Sequence, residues 1–590
     1  MNIAVKQFVV LIAAGVMGSC LAALGEETRL EDLDHLDLVT VGFGKPAKDK
    51  SVYGQSLQIA GVKYEHGLGV HAVSFARLKL DGKSERFHAM IGVNDYAKQG
   101  SVEFIFWGDG QALFRSGVMK SGDKPKAIDL PLAGVKKLKL EVTDGGDGID
   151  CDQADWADAV LTWEGTAPKL VDAIGFSIPA EAKSADPVFA GLNPAKAPGA
   201  SGLYLKAGDR LAICGDSITQ QNLYSRIMET YLTVCVPELK ITARQYGWSG
   251  ETAEGFLHRM TNDCLRFKPT IATTCYGMND FRYRPYDEAS DKWCRENITA
   301  VVKAFKADGA RLIIGSPGCV GKVCSWVNSI GTLEQHNQHL CMLHNIDIEV
   351  AAQEGVRFAD VFCPMYAAGV VGRKRYGPDY AIAGKDGIHP GMAGHLVMAY
   401  AFLTAMALDG DIGTFTVDLA SGTATATKGH KVDEFKNGEM TLTSTRYPFC
   451  ATGSIKDDNS IRSGMTLVPF NEKLNRLMLV VKGGKAAEYK VTWGATARTY
   501  SAQQLAQGIN LAADFAVNPF SEAFRKVDEA VAGKEGFEIG QIQQIVHGAQ
   551  GRTDKESAVQ KSEAEHAVRA TAIQAAFVPV KHTLRIEPLR

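Results

Sequence analysis

A serine, a histidine and an aspartate occur in this sequence where they could activate a nucleophilic hydroxyl. Ser217 follows the apolar run RLAICG, which predicts a buried strand, and precedes a stretch of helical periodicity. His389 follows Asp386 by three positions in the segment DGIHPG. A serine hydroxyl needs a base within hydrogen-bonding distance, and an imidazole base needs a partner that fixes its tautomer. The chemistry predicts Ser217 as nucleophile, His389 as base and Asp386 as the orienting group, although Ser217 could instead cap the helix.

Two further residues could stabilise the oxyanion that attack by a serine creates. Gly250 lies in YGWSGET after the run KITARQ, and Asn279 lies in YGMND after the run TIATTC. The backbone N–H groups of Ser217 and Gly250 and the side-chain amide of Asn279 could donate hydrogen bonds to that oxygen. Each segment also has a structural interpretation, because Gly250 could serve only a turn and Asn279 could cap the next element.

The elements between residues 209 and 408 explain how these residues could meet. Apolar runs alternate there with helical stretches, which predicts a parallel sheet with helices on both faces. In such sheets ligands bind beyond the carboxyl ends of the strands. The serine, glycine and asparagine segments each follow a predicted strand, and the Asp-His segment precedes the last helix. The four segments are therefore expected at one edge of the sheet.

Taken in this order, the four segments resemble those of the SGNH (GDSL) hydrolase family. They match as Gly-Asp-Ser at 215–217, the glycine at Gly250, Gly-x-Asn-Asp at 277–280 and Asp-x-x-His at 386–389. The resemblance covers about residues 207–408 and implies a flavodoxin-like α/β/α domain. It also implies the catalytic residues Ser217, Asp386 and His389, and the oxyanion donors Ser217, Gly250 and Asn279.

Residues beside these segments could contact a substrate. Trp248 is close to Gly250 and could stack on a sugar ring, although packing is an equal alternative. Arg282 follows the asparagine segment and could reach a charged or hydroxyl-rich group. Gly247 is a second candidate for the family's glycine, but the sequence SGET favours Gly250.

Residues 36–164 predict a different architecture. Short alternating runs separated by Gly/Asp turns are typical of a β-sandwich. The segments YEHGLGVHA, IGVND and DGGDGIDCDQADWADAVLTW resemble the NPCBM domain, which implies a galactose-binding-like jelly roll that attaches to polysaccharide. Its acidic loop at 144–158 could bind calcium, but a solvated turn is preferred, and neither a metal nor an organic cofactor is predicted. Candidate sugar contacts are His66, His71, Trp107 and Trp156, although core packing is favoured for both tryptophans.

The remaining segments complete a multidomain prediction. Residues 1–25 have the pattern of an export signal, and a lipid anchor at Cys20 is a weaker alternative. A membrane anchor is also disfavoured, because the apolar run is short for a span, and no other stretch is apolar and long enough to cross a bilayer. The fold prediction is a β-sandwich jelly roll, an α/β/α flavodoxin-like hydrolase domain, a small β-rich region and C-terminal helices. A linker is expected at 165–206, the β-rich region at 409–500 and a helical extension at 501–590.

Composition and domain order narrow the function. The net charge of -3 gives no basic surplus that would favour nucleic acid. A sugar-binding domain joined to a serine esterase on an exported chain predicts removal of O-acetyl or similar short acyl groups from polysaccharide. One alternative is a lipase- or thioesterase-type carboxylesterase, which the lack of a long apolar insertion disfavours. The other is a carbohydrate-binding protein without activity, which the complete set of four segments disfavours.

Overall fold

A computed structural model describes residues 26–109, 111–171, 189, 191–427 and 429–589. The chain divides into two compact units, Met1–Phe176 and Ser177–Arg590. The predicted export signal at 1–25 and much of the predicted linker lie outside the described residues. No helix within the described residues has both the length and the apolar character needed to cross a membrane.

The first unit consists of two large antiparallel sheets, as its alternating runs predict, and a two-stranded sheet, β3-β4. One sheet has the strand order β10-β7-β12-β5-β2, with β1 also on β12, and the other has the order β13-β6-β11-β8-β9. Trp156 is buried in the core against Phe104, so the packing interpretation of this tryptophan is the one observed. The strands are β1 (Glu26–Arg29), β2 (Ala47–Lys48), β3 (Leu57–Ile59), β4 (Val62–Tyr64), β5 (Gly67–His71), β6 (Ser74–Lys79), β7 (Ser84–Val93), β8 (Ser101–Gly108), β9 (Gln111–Lys120), β10 (Lys126–Pro131), β11 (Lys137–Thr143), β12 (Gln153–Trp163) and β13 (Lys169–Leu170).

The second unit begins with a five-stranded parallel sheet. Its strand order is β15-β14-β16-β17-β18, which is the flavodoxin-like order that the resemblance implies. The central strands are buried almost throughout, because helices cover a parallel sheet. The strands are β14 (Arg210–Gly215), β15 (Thr242–Gln245), β16 (Ile271–Cys275), β17 (Arg311–Gly315) and β18 (Arg357–Ala359). The helices are α1 (Ser217–Gln220), α2 (Tyr224–Val234), α3 (Ala253–Asp263), α4 (Glu288–Ala307), α5 (Leu333–Glu354), α6 (Phe362–Tyr376) and α7 (Met392–Ala405).

A β-rich region with two further sheets follows. One has the order β20-β19-β23-β26 and the other the order β21-β22-β27-β24-β25. The strands are β19 (Asp411–Asp418), β20 (Thr423–Ala426), β21 (His430–Lys436), β22 (Glu439–Ser444), β23 (Arg476–Lys482), β24 (Glu488–Trp493), β25 (Thr496–Ser501), β26 (Ile509–Asn510) and β27 (Val580–Pro588). The helices are α8 (Ile461–Met465), α9 (Phe470–Leu474), α10 (Ala502–Gln507), α11 (Leu511–Asp514), α12 (Ser521–Gly540), α13 (Ala549–Thr553) and α14 (Lys555–Ala576), and a π-helix covers Gln541–Val546.

The end of the chain differs from a purely helical extension. Strand β27 lies in the middle of its sheet, between β22 and β24. Its side chains alternate, with His582, Leu584 and Ile586 buried, so the segment has the two-residue period of a strand. In the sequence, helices α10 to α14 therefore lie between β25 and β27, two strands of the same sheet.

A buried lysine attaches α12 to the parallel-sheet domain. Lys534 Nζ lies 3.0 Å from Glu229 of α2 and 2.6 Å from Glu538, and it donates to the carbonyl of Ala243 at 2.6 Å. Burial disfavours the Lys534 cation, but the neighbouring carboxylates raise its pKa above the ordinary value. Glu535 is buried in the same cluster and accepts from Ser225 Oγ at 2.6 Å. The lysine thus compensates several buried acidic groups at once.

Replacing this lysine tests the attachment. Lys534→Met would leave Glu229 buried without its cation and would remove one partner of Glu538, and breaking a buried ion pair typically costs about 3–5 kcal/mol. We expect calorimetry to show a lower melting temperature for the second unit. Lys526→Met is the matched control, because this lysine is on the same helix with its side chain 61% exposed. Equal melting temperatures for the two variants would contradict the assignment.

Candidate active site

Ser217, His389 and Asp386 form a continuous line of hydrogen bonds. Ser217 Oγ lies 2.8 Å from His389 Nε2, and His389 Nδ1 lies 2.7 Å from Asp386 Oδ2. Asp386 Oδ1 accepts from the backbone N–H groups of Ile388 and His389, each at 2.8 Å. Partial burial would raise the pKa of Asp386, but these donors hold it below the ordinary value. The ionised carboxylate keeps the proton on Nδ1, which leaves the Nε2 lone pair for the serine hydroxyl.

The helix cap at this joint is Asp216 rather than Ser217. The Asp216 side chain accepts from the backbone N–H of Ile218 at 2.9 Å, and Ser217 is the first residue of α1. Burial raises the pKa of Asp216 to about 7. The capping role that the sequence left open for the serine is therefore filled by its neighbour, and the serine hydroxyl is directed to His389.

The loop after β15 leaves the amide of Gly250 available. The N–H groups of Gly247, Trp248 and Ser249 donate to Gln245 Oε1, Gly215 O and Gln220 Oε1, respectively. The N–H of Glu251 donates to the carbonyl of Trp248. Among the described residues, no acceptor lies within reach of the N–H of Gly250, which has a φ of 73°. The geometry favours Gly250 over Gly247 as the donor from this loop.

A buried ion pair holds this loop in place. Arg259 Nε lies 2.5 Å from Glu251 Oε1, and Arg259 also donates to the carbonyl of Tyr246 at 2.6 Å. The hydroxyl of Tyr276 donates to Glu251 Oε2 at 3.0 Å. Tyr246 and Glu251, on either side of Gly247–Gly250, are therefore both tied to Arg259 of α3. Glu251 is also tied to Tyr276, directly after β16, and these contacts limit movement of the Gly250 amide.

Asn279 is oriented from both sides of its amide. Its Nδ2 donates to the carbonyl of Glu251 at 3.0 Å, and its Oδ1 accepts from the hydroxyl of Tyr283 at 3.2 Å. The second proton on Nδ2 remains available to another acceptor. Asp280 adds a brace, because its carboxylate accepts from the N–H groups of Gly277 and Ala253 at 2.8 and 2.9 Å. The asparagine and glycine segments are thus linked directly.

The predicted substrate contacts, Trp248 and Arg282, lie within or just after these segments but already have protein neighbours. The Trp248 ring is half-buried, with the Arg259 guanidinium 5.1 Å and the His547 ring 5.2 Å from its centroid. Arg282 is exposed, and its guanidinium lies 4.7 Å from the centroid of the Trp293 ring. These contacts support the packing alternative for Trp248, and substrate binding by either residue remains a prediction.

Sequence reasoning missed an exposed tryptophan beside the histidine. The Trp326 ring is nearly parallel to that of His389, with a centroid distance of 6.1 Å and an interplanar angle of 23°. Trp326 is 52% exposed and lies in the loop between β17 and α5. This loop is fixed to the Asp-His segment by a hydrogen bond of 2.8 Å from Gly321 N–H to the carbonyl of Gly387. In the sequence, Trp326 is a single tryptophan within a loop, and this pattern does not indicate a particular function.

The C-terminal extension also contacts the site, which no motif predicted. Gln543, in the π-helix, donates to Gln220 Oε1 at 3.2 Å, and the same oxygen accepts the Ser249 amide at 2.6 Å. His547 contacts Trp248 and lies 2.7 Å from Asp263 through Nε2. The helices after residue 501 therefore support the loop that carries Gly250.

Family models match both regions for which the sequence suggested a family. Residues 26–162 match the NPCBM/NEW2 domain, and residues 213–397 match the GDSL-like Lipase/Acylhydrolase family. The two resemblances are confirmed. The chain carries an N-terminal NPCBM domain and a GDSL-like acylhydrolase domain.

Individual relatives are similar over parts of the chain. Alpha-1,3-galactosidase B of Akkermansia muciniphila is 36% identical over 128 residues, which is 21% of this chain and 16% of that protein. The chain spans only 9% and 16% of the lengths of two curated relatives it matches. The solved gut microbial diltiazem-metabolizing enzyme BT4096 is 22% identical and shares the fold, with a TM-score of 0.54 over 66% of this chain and 100% of that chain. A catalytic mutant of Axe2, an acetylxylan esterase from Geobacillus stearothermophilus, is 20% identical, with a TM-score of 0.29 over 35% of this chain and 97% of that chain.

The two glycines of the loop after β15 should respond differently to alanine. A Cβ at Gly247 would lie 2.2 Å from the backbone nitrogen of Gln220, which is on the same short helix as Ser217. A Cβ at Gly250 would meet no atom within 4 Å, and its cost would be the left-handed backbone, about 1–2 kcal/mol. We expect Gly247→Ala to lower the melting temperature more than Gly250→Ala. Equal or reversed losses in calorimetry would contradict the assigned roles.

Proposed function

We propose that this chain, with its NPCBM and GDSL-like acylhydrolase domains, is an exported serine esterase that removes O-acetyl or similar short acyl groups from polysaccharide. One observation carries the proposal: Ser217 Oγ lies 2.8 Å from a histidine whose other nitrogen is 2.7 Å from Asp386. The proposal that the chain is exported rests only on the sequence pattern of residues 1–25. No metal or organic cofactor is required for this chemistry.

In this proposal the reaction begins at Ser217. Its oxygen attacks the ester carbonyl while His389 Nε2 takes the hydroxyl proton, and Asp386 stabilises the imidazolium that forms. Collapse of the tetrahedral intermediate expels the sugar oxygen, which receives the proton from His389. The acyl group stays on Ser217 as an ester. A water molecule, deprotonated by His389, then attacks this ester, and His389 returns the proton to Ser217 Oγ as the carboxylic acid leaves.

Three donors would stabilise the tetrahedral oxyanion. They are the N–H groups of Ser217 and Gly250 and the remaining Nδ2 proton of Asn279. As the first residue of α1, Ser217 has an N–H without an intrahelical acceptor. Donors held in place before the reaction stabilise the charge without the cost of reorganising during it. The contacts of Asn279 with Glu251 and Tyr283 supply this preorganisation.

The substrate class is inferred from exposure and domain context. The side chains of His389 and Asp386 are 28% and 36% exposed, so the site is open to a group carried on a polymer. The NPCBM domain would attach the enzyme to carbohydrate, which raises the local concentration of substrate. Trp326 would offer an aromatic face to the sugar that bears the ester, as aromatic residues commonly do in ligand sites.

The exposed apolar side chains near the site favour a second candidate function. The loop that carries Trp326 also exposes Val323, Val327 and Ile330, which are 38%, 37% and 56% exposed. Such a surface could contact an acyl chain, as a lipase- or thioesterase-type carboxylesterase would need. The two candidates share their machinery and differ in the length of acyl chain they accept.

Acetate release from a panel of acetylated polysaccharides tests the proposal. We expect release from at least one class by the wild type and none above background by Ser217→Ala. Ser421→Ala, in an exposed turn of the β-rich region, is the control and should match the wild type. Chromogenic esters from acetate to octanoate separate the candidates, because preference for octanoate would favour the second. Activity that survives in Ser217→Ala would reject a serine mechanism.

Replacing the asparagine tests the oxyanion assignment. Asn279→Ala should lower kcat about 100- to 1000-fold, because it removes a donor to the transition state. Tyr283→Phe should have a smaller effect, since the amide keeps its contact with Glu251. Kinetics on one short acyl ester provide the measurement. An Asn279→Ala enzyme with unchanged kcat would show that the oxyanion lies elsewhere.

A further inference from the structure

We propose a metal site in the second unit, formed by His344, Asp360 and Cys363 and suited to a zinc-class divalent ion. His344 belongs to α5, Asp360 follows β18, and Cys363 lies in the first turn of α6. One ligand atom from each lies within 4.8 Å of the other two. Strand β18 is an edge strand, separated from β14 by β16 and β17, so the cluster is distinct from the serine centre.

The separations of the ligand atoms fit a tetrahedral ion. His344 Nε2 lies 3.3 Å from Asp360 Oδ1 and 3.8 Å from Cys363 Sγ. Tetrahedral zinc with ordinary bond lengths to nitrogen, oxygen and sulfur places these atoms about 3.3 Å and about 3.6 Å apart. These two separations therefore need little change for an ion to bind, and the third, from Asp360 to Cys363, is within 4.8 Å.

Hydrogen bonds fix which nitrogen of His344 carries the proton. Asn345 Oδ1 accepts from the backbone N–H of Ala195 at 2.6 Å, and its Nδ2 donates to the carbonyl of Asn193 at 3.1 Å. The amide orientation is thus set, and His344 Nδ1, 3.1 Å from the same Oδ1, must donate to it. The Nε2 lone pair of the neutral ring then faces the carboxylate and the thiol. Support of this kind for the second nitrogen is characteristic of metal-binding histidines.

The surroundings favour a metal ion over a simple ion pair. An ion pair between His344 and Asp360 would not require Cys363 beside it. The three residues together provide the nitrogen, oxygen and sulfur ligands that zinc binds. The His344 ring is buried and held between Phe358 and Phe362, with centroid distances of 5.3 and 6.0 Å. The Asp360 side chain is 21% exposed, and Cys363 is partly exposed, so an ion can enter and keep a solvent ligand.

The ion would join three elements at one edge of the sheet. Asp360 Oδ1 already accepts from the backbone N–H of Cys363 at 3.0 Å, which holds the carboxylate at the start of α6. Ligation by His344 would add a link from this turn to α5. We therefore assign the ion a structural role, and its binding should stabilise the folded second unit.

Titration of the chelator-treated full chain with Co²⁺ and with Zn²⁺ tests the site. We expect a thiolate-to-cobalt charge-transfer band at one ion per chain, displaced by zinc, and a higher melting temperature with zinc. Cys363→Ser should abolish the band and weaken zinc binding by about 10- to 100-fold or more. Asp360→Asn should weaken zinc binding while it keeps an acceptor for the Cys363 N–H.

Cys151→Ser is the matched control, because it removes an exposed thiol of the other unit. This variant should keep both the band and the affinity of the wild type. The proposal would be overturned if the wild type showed no charge-transfer band, which would leave only an ion pair between His344 and Asp360. It would equally be overturned if Cys363→Ser bound both metals like the wild type.

Discussion

The hydrogen bond of 2.7 Å between Asp386 and His389 Nδ1 is the interaction on which the candidate site depends. It fixes the imidazole tautomer, and only that tautomer presents a lone pair to Ser217. The carboxylate is itself held ionised by two backbone donors from its own turn. A four-residue turn therefore sets both the orientation and the charge of the groups that would activate the serine.

The parallel sheet brings this turn to the other segments, and a second set of contacts holds them there. Glu251 pairs with Arg259 and accepts from Asn279 through its carbonyl, while Asp280 bridges the asparagine segment to α3. The C-terminal helices, which lie outside the GDSL-like domain, add support. Gln543 and the Ser249 amide both donate to Gln220 Oε1. The buried cluster around Lys534 attaches those helices to the sheet.

Much of this architecture could be predicted from the sequence, because strand runs and ordered motifs are local signals. The sandwich, the parallel sheet and the two family resemblances all follow from such patterns. Features made by distant residues could not be predicted, such as β27 returning to the sheet of β22 and the packing of His547 on Trp248. The sequence could not tell whether Asp216 or Ser217 caps α1, because this depends on which side chain accepts from the Ile218 N–H. The cluster of His344, Asp360 and Cys363 could not be predicted either, because its spacing in the sequence matches no known metal motif.

An acyl-enzyme, with the acyl group on Ser217, is the intermediate that the proposed mechanism requires. Rapid acid quenching of the enzyme during turnover of an acetyl ester, followed by peptide mass spectrometry, would detect it. The proposed mechanism predicts an added acetyl group on the peptide that contains Ser217, with none in Ser217→Ala. An acetyl group found only on another residue would contradict the proposed chemistry.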